Sequence, residues 1–300
     1  MDVRDFDFEL PPELVAQEPS ATRGGARKCE VVMVLLALMQ ANSAVLDIEA
    51  NCAAVEVAAR NASAAGAQLL VTPELFAVGY APRRLREAFD PGRLPALREV
   101  LAGIARRNTI ALVYSLPAVT PAGGWHISAT LVDEAGDELL SYDKVHLFGP
   151  DERAAFTPAA AAPGVVDFHG HKTALAICYD IEFPESARAA ALRGADLLLV
   201  PTALAGGFDV VPQVLIRARA LENQLTVAYA NHTGSEDDCD FRGGSIVAGP
   251  DGSVLAAAGA GPELLFAELG EPGRAAADGI EDAVDYLRDR RPELYRSWGV

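Results

Sequence analysis

The sequence predicts an α/β fold built from two similar halves whose sheets pack face to face. Three observations predict it. Short apolar runs alternate with helical stretches from about residue 31 to residue 259, as βαβ units require. The segment GAQLLVTP at 66–73 returns without a gap as GADLLLVP at 194–201. Each copy follows a helix and reads as a helix stop, a buried strand and a proline that ends the strand. Each half also carries a hairpin turn pair, Ala135-Gly136 in the first and Asp251-Gly252 in the second.

In chain order, residues 1–28 are polar, Pro/Gly-containing and non-periodic, and are expected to be a disordered extension before a single domain over 29–300. Residues 31–40, VVMVLLALMQ, form a strand. The basic pair Arg27-Lys28 before this run gives it the look of a signal peptide. The strand is favoured because Asp47 opens a helix directly afterwards. The run is also far shorter than the roughly 20 apolar residues of a membrane helix. Residues 47–66 form a helix with Asp47 as N-cap and Gly66 as stop. AQLLVTP (67–73) is a strand, 94–108 a helix, and 109–119 a strand. A hairpin spans 127–144. TALAIC (173–178) is a strand, 185–194 a helix, 195–201 a strand, 211–224 a helix and 226–231 a strand. A second hairpin spans 245–259.

Composition narrows the function. The chain has 300 residues, half of them apolar and 22% charged, which excludes an intrinsically disordered protein. Its 25 Lys and Arg against 42 Asp and Glu give a net charge of −17. That balance argues against nucleic acid, whose phosphates call for a basic surface, and favours a small-molecule partner. The four cysteines at 29, 52, 178 and 239 form no CxxC pair and no disulfide scaffold. They read as reduced thiols in a cytoplasmic protein. His169 and His171 make an HxH pair without acidic or Cys companions, so they read as surface histidines, and no metal is expected.

Three residues stand at strand ends, where open α/β sheets place their sites. Glu74 follows AQLLVTP, Lys144 ends the strand ELLSYDK, and Cys178 ends TALAIC where the chain turns into a helix. Taken singly they read as a surface carboxylate, a solvated lysine and a small buried hydrophobe. Taken together they supply a base, a cation and a nucleophile, the minimum for acyl transfer. Amide groups at the start of a helix could stabilise a thiolate and an oxyanion at Cys178.

The segments VTPELFAVGY, YDKVHLFGPDE and LAICYDIEFPE resemble the three signature segments of the nitrilase superfamily of carbon–nitrogen hydrolases. The resemblance runs from about residue 31 to about 295. CYDIEFPE, RARALENQ, YAN and GPDGSVLAAAG are most similar to aliphatic amidases of the 5-aminopentanamidase and R-stereoselective type. True nitrilases usually carry Trp-Glu after the nucleophile, where Tyr179-Asp180 stands here. The extension 1–28 and the Ala-rich loop 154–162 depart from the family pattern.

The resemblance implies a four-layer αββα sandwich that dimerises as αββααββα. It implies Glu74 as general base, Lys144 as oxyanion holder, Cys178 as nucleophile and Glu152 as the glutamate that orients substrate and lysine. Tyr179, Glu182, Tyr80 and Asn231 are expected around the substrate, the Tyr179 amide as second oxyanion donor. It also implies a thioester intermediate and no cofactor. The expected activity is cleavage of a small linear primary amide, best guessed as 5-aminopentanamide. N-carbamoyl hydrolysis and a catalytically silent binding homologue are the alternatives. Related hydrolases of carboxylate-bearing substrates commonly carry an arginine where Glu182 stands, so Glu182 points to an ammonium-bearing substrate; its alternative is to cap the following helix.

Overall fold

The computed structural model describes residues 33–120, 122–271 and 284–299. The expected extension 1–28 and Cys29 lie outside the described residues.

The chain runs β1 (Leu35–Gln40), α1 (Ile48–Ala64), β2 (Leu69–Val71), α2 (Pro82–Ala88), α3 (Leu94–Asn108), β3 (Ala111–Val119), β4 (Trp125–Val132) and β5 (Glu138–Asp143). It continues through α4 (Gly149–Ala155), β6 (Val166–Phe168), β7 (His171–Leu175), α5 (Pro184–Leu192), β8 (Leu197–Pro201), α6 (Ile216–Asn223) and β9 (Thr226–Ala230). Then come β10 (Thr233–Glu236), β11 (Cys239–Arg242), β12 (Ile246–Ala248), β13 (Val254–Ala257), β14 (Glu263–Glu268) and α7 (Pro292–Trp298).

Two six-stranded sheets result, ordered β14-β1-β2-β3-β4-β5 and β13-β12-β9-β8-β7-β6. Each has three parallel strands at its centre, β1-β2-β3 in one and β7-β8-β9 in the other. Antiparallel strands flank both trios. The repeated sequence segments are β2 and β8, the middle parallel strands of the two sheets, and they pack on each other.

Strand periodicity explains the layering. Along β8, Leu197 and Leu199 join the apolar cluster shared with the other sheet, whereas Leu198 and Val200 join the cluster under α5 and α6. Along β9, Ala228 and Ala230 face the first cluster while Val227 and Tyr229 face the second. A strand buried on both faces must be apolar at successive positions, which is why these segments read as runs rather than alternations.

Helix signals in the sequence translate closely. Asp47 caps α1 by accepting the Ala50 amide at 3.1 Å. The stretch 94–108 is α3, closed by Thr109 in the left-handed region (φ 48°). The predicted helix 211–224 is split. Its first turn, Val211–Leu215, is a wide π-type turn that runs into α6. His169 is on the surface beside Glu134. His171 is not: it opens β7, is buried, and lies 3.4 Å from Asp196. No helix among the described residues is long and apolar enough to cross a membrane.

The sheets are also cross-linked by one amide side chain. Gln40, buried at the end of β1, donates to Gly259 O (2.8 Å) and Gly261 O (2.7 Å) and accepts from Ser245 N (2.9 Å). Gly243 lies against it with φ +69°, where a Cβ would come within 2.4 Å of Gln40 Nε2. Gln40→Met keeps the volume but strands Gly261 O and Ser245 N, while Gly259 O keeps the Gly244 amide at 3.1 Å. At about 1 kcal/mol or more for each unpaired group, the variant should lose on the order of 2 kcal/mol. For a domain of this size that lowers Tm by roughly 4–8 °C, measurable by calorimetry. An unchanged Tm would show that the amide does not tie the sheets together.

Candidate active site

The ends of β2, β5 and β7 meet where the two sheets face each other. Glu74 follows β2 and is fixed there by its own amide, which donates to Thr202 O at 3.2 Å beyond the end of β8. Lys144 follows β5, its amide donating to Ile127 O (2.8 Å) and its carbonyl accepting from Ala159 N (2.9 Å). The second of these bonds seats the Ala-rich loop beside the lysine. Glu152 projects from α4. Cys178 follows β7 and opens a short 3-10 turn, Cys178–Glu182.

Lys144 bridges two carboxylates. Its Nζ donates to Glu74 Oε1 at 2.7 Å and to Glu152 Oε1 at 2.8 Å, and all three side chains are completely buried. The carboxylates are not equivalent. Glu152 Oε1 also accepts the Tyr80 hydroxyl (2.7 Å), and its Oε2 accepts the Phe148 amide (2.7 Å). Glu152 is therefore held by three donors. Glu74 has Lys144 on Oε1, while its buried Oε2 has no aligned partner and the Cys178 thiol lies within hydrogen-bonding reach of the carboxylate. An ammonium has three protons, so one N–H of Lys144 remains for a substrate oxygen.

Electrostatics follows from burial and the charge count. Burial raises the Glu74 pKa most, Lys144 lowers it and Glu152 raises it again, leaving it at about 7. Burial opposes the charge on Lys144, but Glu74 and Glu152 outweigh it and hold the ammonium well above the usual lysine value. Burial and then Glu74 push the Cys178 thiol well above its ordinary value, against Lys144 and the Ala203 amide. The resting cysteine is thus a thiol. It needs a base, and a carboxylate near 7 is suited to take and return a proton at neutral pH.

Cys178 has φ +46°, in the left-handed region that non-glycine residues rarely occupy. Such strain costs on the order of 1 kcal/mol or more and is found where a side chain must be aimed. Asp180 holds the turn. Fully buried, it accepts from Tyr142 OH (2.9 Å), His146 N (2.8 Å) and Ile177 N (3.2 Å). Sequence reasoning missed this role, although an acidic residue two positions after a buried strand was a signal.

Of the residues expected around the substrate, Tyr80 reaches the site through Glu152. Tyr179 is half-buried, its ring edge-on to Phe148 (5.3 Å) and Phe183 (4.9 Å). Beside them, a cleft of about 500 Å³ is lined by neighbours of Lys144 and Cys178, among them Val145, Leu147, Phe156, Tyr179 and Phe183. Asn231 is spent elsewhere. Its Oδ1 accepts from Leu204 N (2.8 Å), and its Nδ2 donates to Gly243 O (2.7 Å) and Leu204 O (3.2 Å). It braces the segments at Leu204 and Gly243. Glu182 stands one residue before Phe183, the N-cap position of α5, which has no side-chain cap hydrogen bond. Its half-buried carboxyl is raised by burial, against the pull of Lys144 and Arg219. Among the described residues no three His, Cys, Asp or Glu side chains converge on a metal position.

A family model described as carbon–nitrogen hydrolase matches residues 35–275, the span that carries all four central residues. The chain belongs to the carbon–nitrogen hydrolases. It is a hydrolase of the nitrilase superfamily, with that superfamily's sandwich fold. The chain is 38% identical over 288 residues to a hydrolase encoded in the pqqF 5' region of Pseudomonas protegens, covering 94% of this chain and 98% of that one. It is 35% identical to an (R)-stereoselective amidase from a Pseudomonas species, over 74% of this chain and 79% of the relative. An amidase from a Nesterenkonia species superimposes with a TM-score of 0.81 at 48% identity, covering 88% of this chain and 96% of that one.

The other two described cysteines of this hydrolase are held as thiols, Cys52 at about 11 by burial and Cys239 at about 11 by burial, Glu236 and Asp240. Of these three cysteines only Cys178 adjoins Glu74 and Lys144, so alkylation followed by mass spectrometry should show that its modification, and not that of Cys52 or Cys239, tracks inactivation. Full activity in protein alkylated at Cys178 would refute this.

Proposed function

We propose that this hydrolase is an amidase that uses Cys178 as nucleophile, Glu74 as general base, Lys144 as oxyanion holder and Glu152 as anchor for Lys144. The reading rests on one asymmetry. Glu152 is saturated by three donors, whereas Glu74 keeps a bare oxygen beside the thiol. In the Nesterenkonia amidase, a variant with one glutamate changed to glutamine carries the acetamide moiety of fluoroacetamide on its active-site cysteine. The glutamate and cysteine replaced in that enzyme stand as far apart in its sequence as Glu74 and Cys178 do here.

Glu74 takes the thiol proton as sulfur attacks the amide carbon. The carbonyl oxygen becomes an oxyanion, met by the remaining Lys144 N–H and the Tyr179 amide. Each such donor contributes roughly 3–4 kcal/mol to the barrier reduction. The C–N bond then breaks, and the proton leaves with ammonia. Water attacks the resulting thioester, giving its proton to Glu74 on the way to the carboxylate product and the regenerated thiol.

Cys178→Ala should abolish ammonia release from a panel of amides, ureido compounds and nitriles while leaving Tm near that of the parent. Intact mass should show an acyl adduct on the parent and none on the variant. Full turnover by Cys178→Ala would contradict the reading.

For substrate, we propose an amide with an ammonium at its far end, 5-aminopentanamide being the best single guess. Glu182 is a half-buried carboxyl on which Lys144 and Arg219 act as positive charges, and its position just after the nucleophile's turn supports this reading over a role at the start of α5. Opposite charges near 4 Å attract by roughly 4 kcal/mol at an effective dielectric of 20, before desolvation. Arg219, which donates to Glu182 O at 2.7 Å, offsets part of that field. Glu182→Gln should lower kcat/KM for 5-aminopentanamide about tenfold and leave pentanamide nearly unchanged. An equal loss on both amides would reject charge recognition.

The assembly we propose is a homodimer formed through the α5 and α6 side of the second sheet. Val210, Val214, Leu221, Val254 and Leu255 are apolar and exposed there. Light scattering at micromolar concentration should give twice the chain mass, and a monomer would contradict it.

A further inference from the structure

Behind the site lies a second buried charged layer that the reaction above does not use. His232, completely buried, follows β9, and Glu236, 2% exposed, ends β10. His232 Nε2 donates to the Glu74 backbone carbonyl at 2.6 Å. Its Nδ1 lies 2.7 Å from Glu236 Oε1. Both ring nitrogens therefore face a polar partner, the Glu74 carbonyl on one side and the Glu236 carboxylate on the other. Glu236 also gathers backbone from two other segments, accepting Tyr80 N at 2.6 Å on Oε2 and Ser43 N at 3.2 Å on Oε1.

We propose that His232 and Glu236 are a positioning pair that fixes the two site glutamates relative to each other. The pair reaches Glu74 through His232 and reaches Glu152 through Glu236, the Tyr80 backbone and the Tyr80 hydroxyl. The residue after Glu74, Leu75, has φ +54°. The peptide plane between them is thus held in a rarely occupied orientation, and the His232 bond is what its carbonyl meets. A carboxylate that must meet Lys144 with one oxygen and leave the other free depends on such a fixed backbone, because misplacement by about 1 Å can cost a hundredfold in rate.

The ring is also packed, stacked on Phe76 (5.7 Å between centroids) and tilted against Phe241 (5.0 Å). His232→Phe keeps that packing and removes both ring nitrogens, so it separates positioning from packing. The proposal rests on the assignment of Glu74 as base. The experiment measures kcat and KM for ammonia release from pentanamide and the rate of Cys178 alkylation by iodoacetamide, both per folded protein.

In His232→Phe, kcat should fall on the order of tenfold to a hundredfold with KM within about threefold, and alkylation should slow in parallel. Glu236→Gln should show a smaller loss with the same pattern. The double variant should cost no more than His232→Phe alone, since the two act as one unit. A His232→Phe enzyme with kcat within twofold of the parent, or with its loss confined to KM, would overturn the pair. If that variant does not fold, Glu236→Gln decides by the same criteria. A Glu74→Gln control that is inactive while His232→Phe is unaffected rejects the positioning pair alone. A fully active Glu74→Gln rejects the base assignment and the pair with it.

Discussion

One buried ammonium between two buried carboxylates is the constraint on which the site depends. Removing the charges from water is costly, and Lys144 is tolerated at zero exposure only because two anions and their hydrogen bonds surround it. The reverse holds as well. Without the lysine, burial and the neighbouring Glu152 would both work against the charge on Glu74. The net result is one negative charge shared by three groups. A thiolate beside it would add a second, so Cys178 rests as a thiol and its proton must go to Glu74.

The fold supplies this arrangement by bringing two strand ends of one sheet against a strand end of the other. β2 and β5 carry Glu74 and Lys144, and β7 carries Cys178. Because the sheets pack face to face, the three side chains converge in a space screened from solvent on both sides. Local distortion completes the aim. The positive φ at Cys178 turns the thiol out of the strand direction, and Asp180 secures the turn with bonds from three other residues.

Much of this was legible because burial leaves a strong sequence signal. The parallel strands are apolar on both faces, so β2 and β8 declared themselves, and their near-identical wording revealed the two halves. α1 carries its own start and stop signals in Asp47 and Gly66. Other features were not written locally. β6 is three residues long, β14 pairs with β1 from more than 200 residues away, and the β10–β11 hairpin is polar. Asn231 and Glu182 were recognisable as unusual, but only hydrogen bonds decide between bracing and binding. His171 appeared as half of a surface HxH pair because nothing local reports that Asp196 waits beside it. The same applies to His232 and Glu236, whose roles depend on contacts with residues more than 150 positions earlier.

The central claim is that burial, tempered by Lys144, sets Glu74 as a base near neutrality. The pH dependence of kcat/KM on a neutral amide such as pentanamide tests it most directly, because neither substrate nor Lys144 titrates in that range. A base must be deprotonated to act, so activity should fall about tenfold per pH unit below the Glu74 pKa and level off above it. The account predicts an acid limb with its inflection at about pH 7. An inflection in the ordinary carboxylate range near 4.3, or one near 8.5 that follows an unassisted thiol, would contradict it.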